Sequence, residues 1–213
     1  MSIYNSWSKL KLKELDNKVS ELLKRTKMTR KSRYKASERL ATHQKVSQWI
    51  VAFISCTLVF IPLIQVFEVE ITISNQLLNS FQSILAVMIL VYSLLLGQEN
   101  FVSKSEAMHR SGVELGKFAR KLKIFENAHD DQKYSELVEE YYAILEKYEN
   151  HKHVDYLFAK LYYKSEYSKG WIPDIGLWIK AYVLQYFGFI HYLFAVSVVF
   201  IIFYNLFNNI KIN

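Results

Sequence analysis

Between Lys45 and Glu68 the chain carries no charged side chain. The intervening 22 residues, Val46 to Phe67, include thirteen Val, Ile, Leu or Phe residues. As a helix they extend about 33 Å, enough to cross a hydrocarbon core of about 30 Å. Core helices of soluble proteins rarely run so long without charge, which leaves a buried soluble helix as the weaker alternative. Two more gaps follow. Ile71 to Gln98 opens with a half-polar, β-branched segment, so the second span is expected at 77–97. Ala181 to Asn209 contains His191 and the apolar run Leu193 to Phe203, and the third span is expected at 187–207. Trp171, Trp178, Tyr182 and Tyr186 lead into it like an interfacial aromatic belt. A lateral or re-entrant helix is the alternative there. Pro62 is expected to kink the first span. The first span follows a long charged segment with no cleavage pattern, so these read as retained anchors and not as a signal peptide.

Composition removes other classes. Aromatics make up 15% of the chain, against disorder, and Cys56 has no partner for a disulfide. Six Gly and two Pro leave few turns for a β sandwich or barrel. The fold class expected is an all-α membrane protein: a two-helix transmembrane hairpin with long cytoplasmic helical extensions and a third, C-terminal transmembrane helix. The organisation expected is a cytoplasmic basic amphipathic helix (1–45) and the hairpin (46–98, spans 46–67 and 77–97). A cytoplasmic helical stalk and bundle (99–170) and the aromatic-flanked third membrane helix with a short tail (171–213) complete it.

The net charge of +7 is unevenly distributed. Residues 1–45 hold 13 Lys and Arg against 4 Asp and Glu, whereas the loop between the first two spans holds only Glu68 and Glu70. By the positive-inside rule the N-terminus and the 99–180 segment face the cytoplasm, the hairpin loop faces outside, and an odd third span leaves the tail outside. Lys211 in that tail is the one opposing charge. Basic charge just before a membrane span favours lipid headgroups over nucleic acid as its partner.

Leu12, Leu15, Val19 and Leu22 form one helix face, which weakens across the polar Thr29–Tyr34 segment and resumes at Ala36 and Leu40. Phe101, Met108, Leu115 and Leu122 are seven apart, with Phe118 and Phe125 filling the alternate position and Ser111 breaking it once. This heptad-like seam is expected to continue directly out of the second membrane helix. Tyr134 to Tyr148 and Val154 to Leu161 mark two further amphipathic helices, with Asn150 as a cap or turn residue between them. Lys169-Gly-Trp-Ile-Pro173 is the strongest break.

No phosphate loop, dinucleotide fingerprint or H-E-x-x-H is present, and one cysteine allows no C-x-x-C. No enzyme activity and no cofactor are expected. His151, His153 and Asp155 are the nearest approach to a metal cluster, but helix positions i and i+2 point apart, so capping and packing are preferred. Cys56 reads as a small packing residue. Gly112 and Gly116 allow close helix approach outside the membrane. The spans hold no Asp, Glu, Lys or Arg, against a proton relay or charge-coupled transporter. Their polar side chains (Ser47, Ser55, Gln65, Asn75, Asn79 and Gln82) are either pore-lining or ordinary interhelical hydrogen-bonding groups.

Several short motifs carry a resemblance. Thr29-Arg-Lys-Ser-Arg-Tyr-Lys-Ala-Ser-Glu-Arg-Leu40 running into Ser47-Gln48-Trp49 resembles the entry to the first membrane helix of the SLATT family, a two-transmembrane effector domain of bacterial conflict systems. Leu90-Val-Tyr-Ser-Leu94, the stalk Ala107-Met-His-Arg110 and Glu114-Leu115 fit the same order. Glu149-Asn-His-Lys-His-Val-Asp-Tyr156 is similar to an Asn-His…Asp-Tyr motif of the subfamily found beside reverse transcriptases. These motifs cover about residues 29–160, leaving the first residues and the third span outside a two-span core. The resemblance implies a membrane effector, pore-forming, that arrests or kills an infected cell. It would act in the bacterial inner membrane beside a reverse transcriptase or a cyclic-oligonucleotide synthase that supplies a nucleotide or nucleic-acid signal. It points to Arg33, Arg39, His109, Glu114, Asn150, His151 and Asp155 as signal-sensing or interface residues.

Two functions follow. One is a homo-oligomeric pore of antiviral defence. The other is a non-conducting anchor that docks a signal-producing polymerase or its product, with Arg30, Lys31, Arg33, Lys35 and Arg39 on phosphates.

Overall fold

A computed structural model describes residues 2–67, 72–125, 130–167 and 175–209, with side chains described for 13–67, 72–125, 130–164 and 175–209. The Glu68/Glu70 loop, the Lys169–Pro173 break with Trp171, and Lys211 lie outside the described residues, as does the Leu12 side chain. Among the described residues seven helices occur in order: α1 (Ser2–Val66), α2 (Asn75–Glu99), α3 (Phe101–Phe125), α4 (Asp131–Glu146), α5 (His153–Tyr167), α6 (Ile175–Phe187) and α7 (Ile190–Asn209). Among the described residues there is no strand, in accord with the all-α expectation. Three helices are long and apolar enough to cross a membrane, and each overlaps one of the three expected spans.

The arm and the first span are one uninterrupted helix. Along α1 the buried residues are Leu15, Val19, Leu22, Thr26, Arg33, Ala36, Leu40, His43, Ser47, Ile50, Ile54, Thr57, Ile61 and Ile64, with Leu23 and Ser32 beside them. Apart from Leu23 and Ser32, the spacing alternates between three and four residues throughout, skipping only half-buried Thr29. That is the a/d pattern of left-handed helix packing. The apparent weakening at Thr29–Tyr34 is therefore a change of chemistry and not of phase, since polar side chains occupy seam positions there.

The chain divides into two compact units, Met1–Arg39 with Ser103–Val183, and Leu40–Val102 with Leu184–Asn213. In the first, Ser37 meets Ser105, Tyr34 lies on Gly112 and Arg30 lies on Gly116, so α1 and α3 run antiparallel. Lys121 of α3 pairs with Glu140 of α4, and Lys147 at the end of α4 pairs with Glu114 of α3, which makes α3 and α4 antiparallel. Arg39–Asp155 and Tyr163 to the Lys27 carbonyl fix α5 antiparallel to α1. The result is an up-down-up-down four-helix bundle. Its core joins Val19, Leu22 and Leu23 with Leu115, Phe118, Leu122 and Phe125 of α3 and Leu137 and Tyr141 of α4. Leu115 and Leu122 are fully buried, each contributing about 1.5–3 kcal/mol of transfer free energy. The α3 seam holds as expected, and Ser111 keeps its place in it fully buried.

The second unit packs α1, α2 and α7 around Ile50, Ile54, Ile61, Leu78, Leu85, Ala195, Val199, Ile202 and Leu206. His43 meets Phe189 near the start of α7, and Thr72 N–H donates to the Asn209 carbonyl at 3.1 Å. The third apolar helix therefore runs the full length of this unit, parallel to α1, and ends beside the α1–α2 connection.

Three expectations change. The stalk does not continue directly out of the second span. Asn100 adopts φ 45°, ψ 49°, caps α2 and separates it from α3, because Asn tolerates the left-handed region better than other side-chain-bearing residues. The third span begins at Ile190, after turns at Gly188 and Phe189 that end a separate helix α6. Cys56 is exposed on α1, so it does not pack within the chain.

Candidate functional site: a buried charged junction

Within the four-helix unit, the polar part of the α1 seam meets α3 and the start of α5. Arg39 Nε donates to Asp155 Oδ1 at 2.8 Å and Nη2 donates to Oδ2 at 2.9 Å. The Lys152 amide donates to the same Oδ2 at 2.9 Å. Asp155 stands in the first turn of α5, where a carboxylate reaching back to the capping amide satisfies one of the helix's orphan donors. The pair is almost dry: the side chains are 10% and 2% exposed. Its bidentate geometry is the form in which a desolvated guanidinium and carboxylate compensate each other best.

One turn and a half earlier on α1 the compensation is missing. Arg33 is 2% exposed and, among the described residues, forms no ion pair. Its Nη1 lies 3.4 Å from the Met108 sulfur, a weak acceptor, and its Nε has no partner. Burial lowers its pKa from the ordinary arginine value. His151 is close enough to feel both Arg33 and Asp155. Burial pushes its pKa below the usual 6.5, the Arg33 charge adds to this, and Asp155 pulls the other way. The His151 Nδ1 and the Ser111 hydroxyl are also buried without a hydrogen-bond partner. Unsatisfied buried polar groups cost stability, and three in one unit mark a place where something other than stability sets the residues.

Of the residues singled out by motif, Arg33, Arg39, His151 and Asp155 come together here. Asn150 stands beside them and accepts from the His151 amide at 2.9 Å, a turn role as expected. Asp155, and not Asn150, reaches the α5 capping amide. His109 is on the α3 surface, its ring 5.5 Å from Tyr34. Glu114 accepts from Lys147 and from the Tyr148 hydroxyl, both at 2.7 Å, and the Lys147 contact is the largest cause of its lowered pKa. Neither touches the junction.

In the apolar unit Gln65, Asn79 and Gln82 bond one another. Gln65 donates to Asn79 Oδ1 and accepts from Gln82, each at 3.3 Å. Ser47 and Ser55 return their hydroxyls to the His43 and Val51 carbonyls of their own helix. Asn75 is exposed as the first residue of α2. Within one chain these groups make interhelical and back-bonded contacts. The sequence reading missed His43, buried at a seam position and stacked on Phe189 at 3.9 Å between centroids, with Nδ1 3.3 Å from the Tyr192 hydroxyl. Its spacing of seven from Ala36 and Ile50 was the available signal.

No curated protein and no solved structure matches the chain. A family model does: that of SMODS and SLOG-associating 2TM effector domain family 5 matches residues 15–205. The match extends well beyond the 29–160 segment that carries the short motifs, taking in the N-terminal seam and most of the third apolar helix. On that coverage the chain belongs to the SLATT family of membrane effector domains associated with conflict systems, in its fifth subfamily.

Proposed function

We propose that the protein is an antiviral membrane effector that assembles as a homo-oligomer and permeabilises the bacterial inner membrane when activated. The observation that carries this reading is α1, one helix whose alternating seam includes both the under-compensated Arg33 and the apolar span. A buried cation without a counter-charge makes the packing around it costly, and a costly packing is easily exchanged for another. Arg33 and Arg39 lie on the same helix that carries the apolar span, which makes α1 the element on which a change of seam packing would act. The surface of α2 suits assembly. Only 6% of its most apolar window is buried within the chain, and Ile84, Val87, Val91 and Leu94 are exposed to lipid or to a second copy. In an assembly of this kind Asn79 and Gln82 would exchange their contacts with Gln65 for a polar pathway, with exposed Asn75 at its end.

The anchor reading is the weaker one. Of its five proposed phosphate contacts, Arg33 is buried, Arg39 is held by Asp155, Lys35 pairs with Glu38, and Lys31 sits 3.7 Å from the Tyr162 ring centre. A reverse transcriptase or cyclic-oligonucleotide synthase as genomic neighbour remains part of the proposal. Co-expression with that neighbour and its trigger, in cells loaded with a potential-sensitive dye, tests it. Depolarisation should precede growth arrest. Arrested cells that keep their full potential would overturn the pore and favour the anchor.

A further inference from the structure

The four-helix unit contains an open groove of about 480 Å³ between α1 and α3. Lys27, Arg30 and Tyr34 line it from α1, and Val113, Gly116, Ala119, Arg120 and Lys123 from α3. The spacing explains the convergence: positions i, i+3 and i+7 on one helix face positions i, i+3, i+7 and i+10 on the other. Among the described residues four cations and no carboxylate line it. Among the described residues none of the four side chains is engaged in an ion pair or hydrogen bond, although Glu21, Glu38, Glu106, Glu114 and Glu140 neutralise other cations of the same unit. Gly116 keeps the groove open. A Cβ there would lie 3.5 Å from the Arg30 side chain, so a larger residue would fill the space.

We infer that this groove binds a small ligand carrying two or more phosphate groups. Like charges gathered in a cleft raise the local concentration of anions, and arginine forks match phosphate oxygens in pairs. The volume lies within the range of small-molecule sites and suits a ligand the size of a nucleoside phosphate, with Tyr34 offering an aromatic edge to a flat ring. Lipid headgroups share this chemistry, so the source must be separated by experiment. The inference concerns binding alone and stands whether or not the protein permeabilises membranes.

The test uses the full chain in phosphatidylcholine nanodiscs, with tripolyphosphate and ATP as soluble probes and nanodiscs containing phosphatidylglycerol as the lipid arm. Calorimetric titration is expected to show saturable binding of a soluble probe at moderate salt. Arg120→Glu with Lys123→Glu should weaken it at least tenfold, and both residues are exposed, so the fold should survive. Lys133→Glu, an exposed change of charge on α4 outside the groove, should stay within twofold. Protection of the groove by anionic lipid alone, lost in the same double variant, would support the site and assign its source to a headgroup. Absence of saturable binding in both arms overturns the inference, as does an equal loss in Lys133→Glu, which would reduce the effect to diffuse charge. A second variant, Gly116→Leu, fills the groove without changing charge and should also abolish binding. Retention there would overturn the placement.

Discussion

Breaking the Arg39–Asp155 pair is expected to be far more damaging than deleting it. Asp155→Leu strands a guanidinium that is 10% exposed, and Arg39→Met strands a carboxylate that is 2% exposed. Leaving one member of a buried pair uncompensated costs about 3–5 kcal/mol. Asp155→Leu also removes the acceptor of the Lys152 amide, a capping contact of about 0.5–2 kcal/mol, so it should be the worse of the two. The double variant strands neither member of the pair and loses little beyond the cap, about 1–2 kcal/mol. The coupling between the sites is then on the order of 3 kcal/mol or more, well beyond the additivity seen for independent positions. Against a total stability of about 5–15 kcal/mol, Arg39→Met should lower the melting temperature by about 6–20 °C and Asp155→Leu by more. Thermal unfolding of the full chain in detergent, followed by far-ultraviolet circular dichroism, measures all three variants. If both single changes cost less than about 1 kcal/mol, or the double variant is as unstable as the sum of the two, the pair is not the buried, mutually compensating contact argued for here.

Arg33→Met should leave the protein equally or more stable, by up to about 4 kcal/mol, because it removes a buried charge that has no counter-charge. The same variant should lose growth arrest when expressed with its trigger; a destabilised but fully active Arg33→Met protein would contradict the switch role. His151 has a folded pKa below 6.5, so its stabilising contribution is present above 6.5 and is lost as the pH falls through the folded value. Melting between pH 8 and pH 5 should therefore fall less steeply in His151→Gln than in the parent protein, and identical slopes would refute the burial argument. Asn100→Val should cost about 1–2 kcal/mol by forcing a β-branched residue into the left-handed region, while Asn100→Gly should be neutral, as read by chemical denaturation.

Much of this architecture was legible before any coordinates. Charge-free stretches of bilayer length depend only on local composition, so all three apolar helices stood out, and the heptad spacing of Met108, Leu115 and Leu122 located the α3 seam. The α1 seam was only half legible, because hydrophobicity is the usual signal and Thr26, Arg33, His43, Ser47 and Thr57 occupy its buried positions with polar groups. A single left-handed residue at Asn100 was equally hidden, since Asn is common in ordinary loops and caps alike.

The sequence alone determined that the chain is helical, that it carries three membrane-length apolar segments, and which residues share a helix face. These follow from periodicity and charge within windows of a few turns. Tertiary structure alone decided that Arg39 meets Asp155 across 116 residues of chain, that Arg33 is buried with no counter-charge among the described residues, and that Lys27, Arg30, Arg120 and Lys123 share one groove. Such pairings depend on which antiparallel partner each face is given and at what register. That choice is set by the packing of the whole bundle, and no local stretch of sequence encodes it.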